Sequence, residues 1–104
     1  MSDYDNRQYR RMLDQIHDFE SKRIDLKHLI NGMESLLCAL EEADATWKSE
    51  LQSKWGVLEE VYAVALDRTR QLIQDDWKLI NSAVAGMKEL IARVIRVVSR
   101  LRNR

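Results

Sequence analysis

The sequence contains no proline and only three glycines in 104 residues. A β-rich fold needs many tight turns, and therefore more of both residue types, so their scarcity favours an all-α protein. The single cysteine, Cys38, permits no intramolecular disulfide, which indicates a reducing compartment. Because Cys38 lies on an apolar stretch, we expect it to be a small buried hydrophobic residue.

Signals for export or membrane insertion are also missing. No run approaches the roughly 18 consecutive apolar residues of a membrane span. The N-terminus, Met1 to Asp5, is polar and acidic and does not resemble a signal peptide. We therefore expect a cytoplasmic protein with no membrane partner, folded as one domain over residues 1–104.

Charge is balanced overall but distributed unevenly along the chain. The 17 acidic and 17 basic side chains cancel. Residues 1–76 hold 16 acids and 10 bases, a net charge of −6, whereas residues 77–104 hold one acid and seven bases, a net charge of +6. Residues 1–76 thus form an acidic front and residues 77–104 a basic tail.

Four segments repeat apolar residues at spacings of three and four, the pattern of an amphipathic helix. They cover about residues 5–20, 25–40, 45–71 and 76–104. The last is the most regular, with its seam at Trp77, Ile80, Val84, Met87, Ile91, Val94, Val98 and Leu101. Short connections favour antiparallel neighbours, so we predict an antiparallel four-helix bundle with a long C-terminal helix.

The sequence also predicts where the helices begin and which section of the third helix is covered by its neighbours. The expected N-caps are Asp3 or Asp5, Asp25, Asp44, and Asp75 or Asp76. Every residue from Val61 to Leu66 is apolar, so we expect that section of the third helix to be covered on most sides.

Motifs for catalysis and metal binding are weak. Asp14 with His17, and Asp25 with His28, have the three-residue spacing of a carboxylate–histidine ligand pair, but they lie off the apolar stripes that face a bundle interior. No nucleophile elbow or phosphate-binding glycine loop is present, and adjacent acids point about 100° apart on a helix. We therefore expect no enzyme activity, no small-molecule substrate, no metal and no cofactor.

The three tryptophans fit the core stripes, so packing is the first interpretation. Trp47 and Trp77 each open a helix, where an indole is often half exposed and can serve as an interface anchor. We include Trp47 among the candidate partner-binding residues on this ground.

Two charged features have competing interpretations. The tail carries Arg93, Arg96, Arg100 and Arg104 in one stripe, which either solubilises a helix end or contacts nucleic acid. The acidic front and the absence of aromatic residues between the arginines argue against nucleic acid. The acids Glu41, Glu42, Asp44, Glu59, Glu60 and Asp67 form either a solvated face or a surface that fills a basic groove on a protein partner.

Residues 9–68 resemble a known group of proteins. The matching positions are Ile24-Asp25-Leu26, Leu29-Ile30, Leu36-Leu37, Ala39-Leu40, Trp47, Trp55, Leu58-Glu59-Glu60, Tyr62-Ala63 and Ala65-Leu66. This part of the chain resembles small helical bacterial proteins, including immunity proteins of contact-dependent inhibition and related polymorphic toxin systems. The resemblance implies binding to a cognate toxin domain, often a nuclease, which is blocked without chemistry.

The sequence therefore predicts an immunity protein whose acidic residues bind a toxin domain. The alternative is a structural or adaptor protein. Its basic C-terminal helix would mediate self-association into a homodimer, or nucleic-acid contact.

Overall fold

The computed structural model describes the backbone of residues 3–68 and 71–102, and the side chains of residues 4–68 and 71–97. The described residues form four helices and no strand: α1 (Asp3–Glu20), α2 (Leu26–Ala39), α3 (Ala45–Asp67) and α4 (Gln74–Arg102). α1 packs on α2 and α4, and α3 packs on the same two helices, so α1 and α3 lie diagonally opposite. The predicted all-α antiparallel four-helix bundle with a long last helix is confirmed.

Two of the predicted N-caps are confirmed. The Asp25 carboxylate accepts the His28 N–H at 2.8 Å, and the Asp44 carboxylate accepts the Trp47 N–H at 3.0 Å. Each bond satisfies a backbone donor that the first turn of a helix leaves unpaired. The α4 prediction is wrong in detail, because Asp76 lies within the first turn and accepts the N–H of Ile73 from there, at 3.0 Å.

Asp5 is not the N-cap that the sequence suggested. α1 already begins at Asp3, whose side chain lies outside the described residues, and the Asp5 side chain is fully buried. Its two carboxylate oxygens accept the N–H groups of Glu41 at 2.9 Å and Glu42 at 2.7 Å. Asp5 therefore links the start of α1 to the connection between α2 and α3 through two hydrogen bonds.

The core confirms most of the apolar stripes. Its most deeply buried apolar side chains, each at most 1% exposed, are Tyr9, Met12, Ile16, Leu29, Met33, Leu51, Leu58, Ile80, Met87 and Ile91. Every helix contributes to this cluster, because the four apolar stripes all face the bundle axis. The side chains of Val98 and Leu101, also predicted for the α4 seam, lie outside the described residues.

The prediction that residues 61–66 are covered on most sides is wrong. Val61 and Ala65 are buried, but Val64 is 39% and Leu66 65% exposed. Six consecutive residues point in all directions around a helix, and α3 packs mainly on α2 and α4, so part of its circumference faces solvent. Cys38, expected to be buried, is exposed as well.

Candidate functional site

The outward side of α3 presents acidic side chains to solvent. Glu60 and Asp67 are seven residues apart, which places them on one side of the helix about 10 Å from each other. Glu59 lies beside them, and all three are exposed. None of the three has an ion-pair partner among the described residues. Their charges are therefore not neutralised by this part of the protein.

A second group of acids lies at the other end of α3. Glu41 and Glu42 expose their side chains while Asp5 holds their backbone N–H groups, and Asp44 is exposed while capping α3. Fifteen residues of rise, about 22 Å, separate Asp44 from Glu59. The six acids predicted as partner-binding therefore form two groups spread along α3 instead of a compact patch. We call Glu41, Glu42, Asp44, Glu59, Glu60 and Asp67 the acidic band.

The surroundings of the acidic band are poor in basic residues. Residues 34–67 contain eight acids and only two bases, Lys48 and Lys54, a net charge of −6. Two acids near the end of α1 are paired. Glu20 pairs with Lys88 at 3.1 Å, and Asp18 lies 3.7 Å from Arg23. The negative surface is thus concentrated on the α2–α3 half of the bundle.

The basic stripe of α4 is partly neutralised. The carboxylate of Glu89 lies 3.7 Å from the guanidinium of Arg93 and 3.6 Å from that of Arg96. One acid therefore offsets part of the charge of two arginines, although all three side chains are exposed and such pairs are weak. The side chains of Arg100 and Arg104 lie outside the described residues.

Trp47 is buried, as the packing interpretation predicts, and this argues against its place among the candidate partner-binding residues. It is only 9% exposed, its indole N–H donates to the backbone oxygen of Leu90 at 2.9 Å, and its ring meets Tyr9 edge to face at a centroid distance of 5.2 Å. The first turn of α3 is covered by α4 and α1, so an indole there is enclosed. Its polar group is satisfied within the protein.

Trp77 is the more exposed of the two helix-opening tryptophans. It stacks on Phe19 with centroids 6.1 Å apart, yet 40% of it remains exposed. Leu66 and Ile73, near it at the same end of the bundle, are 65% and 51% exposed. The seam pattern placed Trp77 in the core, and only its position at a helix start indicated this exposure.

Three adjoining grooves of about 490, 560 and 550 Å³ share Trp77 as a wall. They run between the α1–α2 connection, the end of α3 and the start of α4. Their apolar lining includes Phe19, Leu26, Leu66 and Leu72. We call these residues, with Trp77 and the neighbouring Lys22 and Lys27, the Trp77 surface.

The buried polar groups indicate a structural role. Burial and, secondarily, the charge of Asp5 raise the pKa of Tyr9 to about 12, so its phenol stays neutral to a higher pH than an exposed tyrosine does. It can donate a hydrogen bond, but it is not poised to act as a base. His17 and His28 are exposed, and no group of three or more potential metal ligands occurs among the described residues.

Neither a search for membrane-spanning helices nor a comparison with known proteins gives further information on the function. None of the helices, as far as the structure describes them, is both long enough and apolar enough to cross a membrane. Comparison with protein-family models, with curated proteins and with solved structures finds no match to this chain.

Proposed function

We propose that this chain is a cytoplasmic, non-catalytic immunity protein that binds and blocks a cognate toxin domain through the acidic band. One observation supports this proposal above the others. Glu41, Glu59, Glu60 and Asp67 are exposed and have no ion-pair partner among the described residues, while Glu20 and Glu89 elsewhere are paired. An unpaired charge keeps its field available to a partner.

The chemistry of a nuclease toxin complements this surface. A nuclease must present basic side chains to phosphate, because phosphate contacts dominate its binding to nucleic acid. The acidic band lies on the α2–α3 half, where residues 34–67 carry a net charge of −6. α3 is 23 residues long, about 34 Å, which is long enough to span a substrate groove. Inhibition would follow from occupying that groove, without any reaction.

The alternative function, a structural or adaptor role, relies on the basic tail helix. Glu89 lies close to both Arg93 and Arg96, so the local positive charge is lower than the sequence suggests. This pairing favours the acidic band over the arginine stripe as the electrostatic binding surface.

The test is to coexpress this chain with a toxin domain encoded by a neighbouring gene, in a host whose growth that domain arrests; the absence of any such gene would count against the proposal. We expect the wild-type protein to restore growth. The double variant Glu60→Lys and Asp67→Lys should associate about tenfold or more slowly, because steering by charge contributes factors of 10 to 1,000 to association rates. Association measured by biolayer interferometry should also slow as salt rises.

A matched double reversal, Asp14→Lys with Asp18→Lys, changes the net charge equally on α1, diagonally opposite α3. We expect this control to protect nearly as well as wild type. Equal losses from both double variants would show that only net charge matters. Loss of protection from reversal of Arg93 and Arg96 alone would assign binding to the tail helix and refute the acidic-band mechanism.

A further inference from the structure

The Trp77 surface is apolar and concave, and the acidic band does not account for it. Trp77, Leu66 and Ile73 are 40%, 65% and 51% exposed at one end of the bundle. Contiguous exposed apolar residues with a polar rim are typical of protein-interaction sites, and tryptophan is the residue most enriched among their energetic centres. Trp77 lines all three grooves, so a ligand in any of them would contact its indole.

The charged residues that line these grooves are predominantly basic. Four are basic, Lys22, Arg23, Lys27 and Lys88, and two are acidic, Glu20 and Asp25. Both acids are engaged, because Glu20 accepts from Lys88 at 3.1 Å and Asp25 accepts the His28 N–H at 2.8 Å.

Two of the four cations, Lys22 and Lys27, have no acidic partner within the described part of the chain. The rim therefore offers unpaired positive charge beside an apolar floor.

Lys22 also adopts a backbone conformation that lysine disfavours. Its φ is +64°, in the left-handed region. It closes α1 in a Schellman arrangement, in which the Lys22 N–H donates to the Phe19 oxygen at 3.0 Å and the Arg23 N–H donates to the Asp18 oxygen at 2.8 Å. Glycine is the usual residue at this position because it has no Cβ to strain. The chain thus keeps a cation at the groove although glycine would suit the backbone better.

We propose that the Trp77 surface binds an acidic amphipathic helix of a partner protein. Its apolar side chains would enter the grooves that share Trp77 as a wall, and its carboxylates would meet Lys22 and Lys27. Helix-in-groove recognition uses apolar anchors three or four residues apart, which suits adjoining grooves that share one wall. A lipid surface would require a protruding apolar face, whereas this one is concave. The inference goes beyond the proposed function, because it concerns a surface other than the acidic band and an acidic partner instead of a basic one.

The probe is a synthetic helical peptide of about five turns, or 18 residues, with leucine at every third or fourth position and glutamate on the flanks. A second peptide carries lysine in place of every glutamate. Two-dimensional ¹H–¹⁵N NMR resolves the three tryptophan indole N–H signals. The indole N–H groups of Trp47 and Trp55 donate to the backbone oxygens of Leu90 and Ile30, each at 2.9 Å, whereas the indole N–H of Trp77 donates to no described residue.

We expect the acidic peptide to shift the Trp77 indole signal and leave the other two in place. The double variant Lys22→Glu and Lys27→Glu should weaken binding about tenfold or more, and added salt should weaken it as well. Leu66→Ser should weaken binding without unfolding the protein, because Leu66 is 65% exposed.

Lys22→Gly separates binding from folding. It should raise the melting temperature by relieving the strain of the left-handed backbone conformation. It should still weaken the binding of the acidic peptide several-fold, because it removes a cation. A role of Lys22 in structure alone would leave binding unchanged.

Three results would overturn the proposal. Equal binding of the lysine peptide would do so, as would a shift of the Trp77 signal with protein concentration alone, which would assign the surface to a second copy. Binding to phosphatidylserine-containing vesicles with no response to the acidic peptide would assign it to a membrane.

Discussion

Replacing Asp5 by alanine tests the most unusual contact in this bundle. The Asp5 side chain is fully buried, and its carboxylate accepts the backbone N–H groups of Glu41 and Glu42 at 2.9 and 2.7 Å. The two partners lie 36 and 37 residues away, in the connection that carries part of the acidic band. Alanine removes both acceptor oxygens. The two partly buried N–H groups must then donate to water or remain unpaired.

The magnitude follows from these bonds. A hydrogen bond to a charged group contributes about 1.5 to 3 kcal/mol, so two of them contribute about 3 to 6 kcal/mol. The N–H groups are only partly buried, and water can replace some of the loss, so we expect a cost near the lower limit, about 3 kcal/mol. The free energy of unfolding of a domain is about 5 to 15 kcal/mol, so this one substitution should remove a large fraction of it.

Urea unfolding followed by far-ultraviolet circular dichroism measures the loss. Asp14→Ala is the control, because Asp14 is an exposed α1 acid with no ion-pair partner among the described residues. Exposed substitutions of that kind usually change stability by no more than about 0.5 kcal/mol. A cost below about 1 kcal/mol for Asp5→Ala, comparable to that of the control, would show that the carboxylate does not hold the α2–α3 connection.

Two further predictions concern Tyr9 and Gly56. Because the pKa of Tyr9 is raised to about 12 in the folded state, the neutral phenol contributes stability that is complete below pH 10 and lost as pH rises through 12. Tyr9→Phe should therefore flatten the fall in unfolding free energy over that range, and an unchanged slope would contradict the shift. No atom lies within 4 Å of a Cβ added at Gly56, so Gly56→Ala should stabilise α3 by about 0.5 to 1 kcal/mol in thermal unfolding. Gly86→Ala should gain less, because its Cβ would lie 2.7 Å from Lys54; the reverse order would be inconsistent with this packing.

The sequence was sufficient to predict the helices and most of the core. Residues three and four apart share one face of a helix, so the spacing of Ile80, Val84, Met87 and Ile91 predicts both an α-helix and its buried side. Asp25 and Asp44 could be identified as caps for a similar reason, because each acts on a backbone N–H three residues further along the chain. These are local relations, and local relations are encoded in short stretches of sequence.

The exposure of the candidate sites was predicted only in part. All six acids of the band are exposed, as their positions off the apolar stripes indicated. Trp47 and Trp77 have similar positions at helix starts, yet Trp47 is enclosed and Trp77 is 40% exposed. The difference depends on which neighbouring helix extends past each position, and no spacing within α3 or α4 contains that information.

Tertiary structure alone decided the contacts between distant residues. The Asp5 carboxylate meets N–H groups 36 and 37 residues away, and the Trp47 indole reaches a backbone oxygen 43 residues away. Which acids are neutralised was decided in the same way, since Glu20 meets Lys88 across 68 residues while Glu60 and Asp67 meet no base among the described residues. Periodicity determines which face of a helix is buried, but the lengths and packing of the helices determine which groups meet across the bundle.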